Sequence, residues 1–554
     1  MTEGARQAAR RRDGAIRNGD LPAGEVGVWA LGALVGVAAG YAAIGFRLAI
    51  ARLQTLLYGA DDATIHSQAA DLNPLVVLAI PIAGGALVGW ILTRCIRSGR
   101  ALGVADVIHA AALGDSRVSK RQGLASAAAA LVTLSAGGSS GREGPVVHLA
   151  AVISTWVAER VGAHGVAARD ILGCAAAAAV SASFNAPLAG ALFALEVVLR
   201  HYAVHAFGPI VAASVAGAVI SRIHMGDVTE FVLPAHQVEF YQEIPAFALL
   251  GALCGLVGVL MIRGLFLAER LGDRLQGRLR LGGIGRPAAA GALLGVIAVG
   301  FPHVIGVGYE TTSRALTVEL GFWTCVVFAL VKGVAVSITF AGRMGGGVFS
   351  PSLMLGALTG AAFGAVATGL FPEASGSTGL YALAGMGAVA AAVLGAPIST
   401  TLIVFELTAD YQAALAVMIA VSVATVVAHR FVDKSFFLTQ LANAGINLIA
   451  GPQSFMMKHL KVRGYMRVHG ADNAASETAC QSLIDQGAYL REDDTLAQAL
   501  AMFDSLKGAF IPVVEPTERE DDDEGVALVG ALYHIDLLKA LNRIHVATYR
   551  EEHS

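Results

Sequence analysis

The sequence predicts an all-α polytopic membrane protein, built from two related halves with broken and re-entrant helices and followed by a small α/β tail. Three observations carry this prediction. Of 554 residues, 55% are hydrophobic and only 15% are charged, with a mean hydropathy of +0.63, a composition that points to the bilayer rather than to several soluble domains. The chain also repeats itself. NAPLAGALFALE (Asn185–Glu196) is matched by GAPISTTLIVFE (Gly395–Glu406), each with Ala-Pro near its start and a glutamate closing it. Upstream of each copy, a glycine-rich break ends in a proline that opens an apolar run: GREGP at Gly141–Pro145 and GGGVFSP at Gly345–Pro351. The offset between halves is 206 residues for one proline pair (145 to 351) and 210 for the other (187 to 397). Matched interruptions in corresponding positions are the sequence mark of a transport site at a repeat interface.

In chain order, residues 1–24 form a polar arm rich in arginine (Arg6, Arg10, Arg11, Arg12, Arg17), and Arg94, Arg97 and Arg100 make a second basic segment. An excess of positive charge places both on the cytoplasmic side. The polar stretch Met1–Leu21 predicts no cleavable signal peptide. A membrane region over residues 25–450 follows. Its apolar runs are Val26–Leu57, Leu75–Ile96, Leu124–Leu134, Val146–Val161, Ala168–Leu199, Ala206–Ile220 and Ile244–Leu267, then Ala288–Val299, Leu320–Phe340, Leu353–Leu370, Leu380–Val393, Ile398–Leu407 and Ala413–Phe431. Several fall short of the ~20 residues needed to span, so tilted and partly inserted helices are expected. Lys434–Ile446 reads as a last amphipathic helix leaving the membrane.

Residues 451–554 have ordinary charge density and predict a cytoplasmic domain. Its pattern is a helix over Asp494–Leu506, strands over Ala509–Val514 and Val526–Leu532, and a helix over Ile535–Asn542, with the acidic run Glu518–Glu524 as a solvated hairpin loop. The five cysteines (Cys95, Cys174, Cys254, Cys325, Cys480) have no metal-ligand spacing, which predicts free thiols and no zinc site. No nucleic-acid partner is expected.

The most informative stretch is GGSSGREGPVVHLA, Gly137–Ala150, between two apolar runs and so at membrane depth. Irregular backbone survives there only where protein buries it or a wet cavity receives it. Gly and Ser break the first helix, and Pro145 suits the first turn of the next. The free N–H groups of that turn, at the positive end of a helix dipole, make an anion site. A carboxylate, Glu143, stands in that spot.

At GREGP, SFNAPLAGALFALE, GGGVFSPSLMLG and GAPISTTLIVFELT the chain resembles the CLC family of chloride channels and chloride/proton antiporters, over roughly residues 25–450. The tail resembles a CBS domain, with a degenerate second unit in Phe455–Gln486 or pairing with another subunit as the alternatives. The resemblance implies two inverted-repeat halves, a homodimer with one pore per subunit, and an anion path lined by helix N-termini. Glu143 would be the gate, within the Gly141, Arg142, Gly144 segment of the filter, and the amides of Val348 and Phe349 would bind the central anion. The family's first filter segment falls on Ala101–Ala105, which puts Leu102 where a serine is usual. A tyrosine near the last membrane helix falls on Phe437, so both side-chain donors of the inner gate are lost. The inner proton glutamate of the antiporters falls on Val197, a channel-like trait. In the tail, Asp536 stands where a ribose-binding aspartate occurs in many CBS units; nucleotide there is the alternative to a packing and dimer-contact role.

The reading these residues support is passive chloride transport through a Glu143-gated pathway in the plasma or inner membrane of a prokaryote, with both termini cytoplasmic and bound chloride as the one ligand. Backbone N–H groups and helix charges of roughly half a unit hold an anion without trapping it. Ionised, Glu143 competes for the anion position; neutral or swung aside, it yields, so acid outside should favour opening. The alternatives are a chloride/proton antiporter, a fluoride-selective transporter and, remotely, a rhomboid-like intramembrane protease with Ser140 of GSSG as nucleophile. Glu196 and Glu406 read as helix-end carboxylates, and His148 as a packed polar residue.

Overall fold

The computed structural model describes residues 25–542 except 114–115, 203, 227–239, 373–374, 409, 447, 449–459, 471–473, 507 and 518–524. The arginine-rich arm and the acidic run Glu518–Glu524 therefore lie outside the described residues. The chain separates into two compact units, one ending at Leu441 and one beginning at Ala442.

Among its described residues the first unit is built of helices. Its first half runs α1 (Glu25–Tyr58), α2 (Ile65–Ala70), α3 (Pro74–Cys95), α4 (Val104–Leu113), α5 (Lys120–Ser135), α6 (Glu143–Val161), α7 (Gly165–Phe184), α8 (Pro187–Phe193) with a π-helical turn Ala194–Leu199, and α9 (Val204–Met225). The second runs α10 (Phe240–Arg278), α11 (Gly285–Gly300), α12 (Tyr309–Leu316), α13 (Phe322–Ala341), α14 (Phe349–Leu370), α15 (Thr378–Leu394), α16 (Pro397–Thr408), α17 (Tyr411–Phe431) and α18 (Phe436–Asn443). Among the described residues, eight helices are long and apolar enough to cross a membrane, with shorter apolar ones between them. Two differences from the hydropathy pattern stand out. Ile244–Leu267 continues as helix to Arg278, through residues whose charges hide it from a hydropathy scan. The short helices α2, α4 and α12 escape it too, α12 (YETTSRAL) because it is polar.

The interior is packed by small residues. α15 is buried along nearly its whole length, and so is the alanine run of α7. Lipid tails are as apolar as leucine, so helices in a bilayer gain from close backbone approach rather than from hiding apolar area. α14 meets α15 through Gly356, Gly360 and Gly385: a Cβ on Gly360 would stand 2.1 Å from the Tyr381 carbonyl, and one on Gly356 2.3 Å from that of Gly385. Gly360→Val is therefore expected to force these helices apart at a cost of about 1–3 kcal/mol, read as a lower midpoint of thermal unfolding in detergent. An unchanged midpoint would mean that this contact yields without loss.

The two halves are joined by reciprocal bonds. The Glu196 carboxylate accepts from the amides of Ile398 (3.1 Å) and Ser399 (2.8 Å) at the start of α16. The Glu406 carboxylate, near the end of α16, accepts from Leu188 (2.9 Å) and Ala189 (2.8 Å) at the start of α8. Each helix thus has its end at the other's beginning, so α8 and α16 run antiparallel, and the halves are related by inversion. The cost of a carboxylate at membrane depth is offset because each one satisfies two orphan amides and the positive end of a helix.

The second unit holds β1 (Arg467–Val468), β2 (Leu490–Arg491), β3 (Phe510–Thr517) and β4 (Gly525–Tyr533) in one sheet of order β1-β4-β3-β2, with α19 (Glu477–Asp485), α20 (Leu496–Leu506) and a helix over 534–542. β3 and β4 are an antiparallel hairpin and β2 lies parallel to β3. Leu490, Leu496, Phe503, Ile511, Val513, Leu532 and Leu537 form its core. Among the described residues of Phe455–Gln486, β1 pairs with β4 and so joins this same sheet.

Candidate anion pathway

Two helix beginnings are brought face to face by the two glycine breaks. After α5, Gly137 takes a left-handed φ of +96°, and the Gly138 amide closes on the Thr133 carbonyl at 2.7 Å. The chain then runs without regular structure to Gly141. In the other half it turns at Gly346, with φ +149°, and reaches Gly347. Gly141 and Gly347 exchange both backbone hydrogen bonds, each 2.7 Å, an antiparallel bridge between the matched breaks. From it α6 and α14 depart, so the free amides of two first turns converge on one region.

Glu143 lies in that region. The residue is 3% exposed. Its Oε1 accepts from the Ser350 hydroxyl, the carboxylate lies by the amides of Glu143 and Ser350, and Oε2 has no hydrogen bond of good geometry. The side chain folds back across both helix beginnings, where an anion would sit. Phe349 is fixed beside it by Phe184 at 4.9 Å and Phe193 at 6.4 Å between ring centroids.

A narrow cavity of about 60 Å³ leads to this point, and Leu102, Glu143, Gly144, Val348, Phe349 and Phe437 all line it. Residues from four separate segments of the sequence are therefore gathered on one cavity. The predicted ligands differ in what they offer. Gly141 gives its amide to the Gly347 carbonyl, so it braces the site and has no donor left for an anion. Arg142 turns its guanidinium away: it lies over the Tyr309 ring at 4.7 Å and donates to the Tyr309 hydroxyl at 3.2 Å. Leu102 gives its amide to the Ser126 hydroxyl at 3.0 Å, and the next amide, Gly103, goes to Asp106 at 2.8 Å. At Leu102 and Gly103 the first filter segment thus has its amides satisfied within the protein, and the Leu102 side chain supplies apolar wall. Phe437 supplies a ring without a hydroxyl. Val197 is buried in the π-helical turn and is not part of the lining.

Several lining or contacting residues escaped the sequence reading. Ser350 is the hydroxyl on Glu143, and its signal was available in the GGGVFSP repeat, where it aligns with Gly144. Gln440, one turn after Phe437, brings a side-chain amide, and Arg100, Arg343 and Glu269 bring charge to the same cavity. Ser140, the nucleophile of the protease alternative, is fully buried and donates to the Gly345 carbonyl at 3.4 Å. In the second unit, Asp536 accepts from Arg467 at 2.7 Å, and that guanidinium lies 3.9 Å from the centre of the Tyr533 ring. The carboxylate at the position of a ribose-binding aspartate is thus paired with this arginine.

Comparison with known proteins agrees with this architecture. The family described as "Voltage gated chloride channel" matches residues 84–429. A ClcB-like protein of Ralstonia nicotianae is 33% identical over 425 residues, which is 74% of this chain and 96% of the relative. Among solved structures, a slow cyanobacterial Cl−/H+ antiporter shares the fold with a TM-score of 0.67 at 23% identity, covering 75% of this chain and 97% of that one. A CLC-type fluoride/proton antiporter does so with 0.63 at 19% identity, covering 74% and 97%.

Proposed function

This chain belongs to the voltage gated chloride channel (CLC) family, a family of transporters and channels rather than enzymes, and on that premise we propose that it conducts chloride passively through a pathway gated by Glu143. The single observation that carries the proposal is the Glu143 carboxylate folded across the beginnings of α6 and α14, at the end of a cavity lined by Val348 and Phe349. Chloride entering this point meets first-turn amides and must displace a carboxylate of like charge. Leu102 and Phe437 add apolar surface to the lining, which favours release over tight binding.

The second reading, strict exchange of chloride for protons, draws on the shared fold with a Cl−/H+ antiporter. Val197 speaks against it, because an apolar side chain cannot carry a proton at that position. Fluoride preference draws on fold alone. We further propose a homodimer in the inner membrane of a prokaryote with both termini cytoplasmic, the tail serving in packing and subunit contact.

The test is chloride efflux from liposomes containing the purified protein, with proton movement followed in the same vesicles. Efflux without proton uptake against a chloride gradient is the expected result. Proton uptake in fixed ratio to chloride would establish the exchanger instead, and fluoride efflux without chloride efflux would move the selectivity.

A further inference from the structure

The cavity that ends at Glu143 carries a second carboxylate. Glu269, on the C-terminal part of α10, lines it together with Arg100, Arg343 and Gln440. The charged groups that act on Glu269 are Asp273 on its own helix, Arg100 before α4, Arg343 after α13 and Arg286 of α11. Each of these arginines is already bound to another acid. Arg100 pairs with Asp106 at 2.9 Å, Arg343 with Asp273 at 2.9 Å, and Arg286 with the same Asp273. Glu269 touches Arg286 only through its backbone carbonyl, at 3.3 Å, and its carboxylate takes no hydrogen bond or ion pair among the described residues. An acid without a partner is costly beside a dry passage, and in an anion path it repels the ion conducted.

Charge counting gives it a consequence. Arg100, Arg286 and Arg343 are balanced by Asp106, Asp273 and Glu269 when Glu269 is ionised, and exceed them by one charge when it is neutral. We propose that Glu269 controls chloride permeation at the mouth remote from the gate: ionised it cancels the attraction of the mouth, and protonated from the solution on that side it lets chloride concentrate there. This rests on the reading of the cavity as the chloride path, but not on which way the gate responds.

The experiment is chloride efflux from oriented liposomes, with the pH varied separately on each side. Acid on the Glu269 side is expected to raise wild-type efflux roughly tenfold, as one unit charge at about 10 Å and an effective dielectric of about 20 implies. Glu269→Gln should hold the high rate at every pH on that side while keeping the response to acid on the Glu143 side. Glu269→Asp should restore the first response, which a merely structural role would not produce. A Glu269→Gln protein with the wild-type profile on that side, or a wild type indifferent to it, overturns the proposal. Loss of the response on the Glu143 side alone instead counts against the gate. No chloride efflux from the wild type removes both.

Discussion

Glu143→Gln is expected to raise chloride efflux at neutral external pH by roughly tenfold and to remove its dependence on external acid. The substitution keeps the shape of the side chain and removes its charge. In the closed arrangement the carboxylate gains from two helix N-termini, each worth about 0.3–1 kcal/mol to an anion, and from the Ser350 hydroxyl, a bond about twice as strong to an ionised acceptor as to a neutral one. An amide forfeits most of these gains, so chloride displaces it more easily, and about 1.4 kcal/mol is a factor of ten. The amide also does not titrate, and the external pH profile should go flat. Efflux equal to the wild type at every pH would show that Glu143 is a brace and that the path runs elsewhere.

What the sequence disclosed, and what it hid, follows from the range of the forces involved. The helix breaks were legible because glycine and proline act locally: the φ values of Gly137 and Gly346 are ones that a side chain strains against. The repeat was legible as spacing, yet its inversion and its physical content were not. Only the structure shows that Glu196 and Glu406 exchange caps across the interface, and that Gly141 and Gly347 close a bridge between the breaks. Of the predicted anion ligands, Gly141 gives its amide to Gly347 and Leu102 to Ser126, while the Arg142 guanidinium turns to Tyr309. A motif names the segment, whereas free donors are what remains after the protein's own acceptors are satisfied. Glu269 was invisible for another reason: it sits in a charged extension of α10 that reads as solvent-facing, and a partner 126 residues away (Glu143 to Glu269) shares its cavity.

Ser350 carries the other large effect. Its hydroxyl is the side-chain donor to Glu143 in the closed arrangement, and removing a hydrogen bond to a charged group costs about 1.5–3 kcal/mol. That cost falls on the closed state only, because an ionised carboxylate swung away is met by water. Ser350→Ala is therefore expected to shift the balance of closed and open by roughly ten- to a hundredfold and to raise neutral-pH efflux toward that of Glu143→Gln. The two changes remove parts of one interaction, so they should not add: Ser350→Ala in the Glu143→Gln background should change efflux little. Ser350→Thr, which keeps the hydroxyl, should behave as wild type. The competing role for this serine is that of a direct chloride ligand, since it stands in the first turn of α14 beside Phe349. That role predicts the opposite sign, with Ser350→Ala lowering efflux and doing so equally with Glu143 or glutamine at the gate. The sign of one efflux measurement, repeated in two backgrounds, decides whether Ser350 latches the gate or holds the ion.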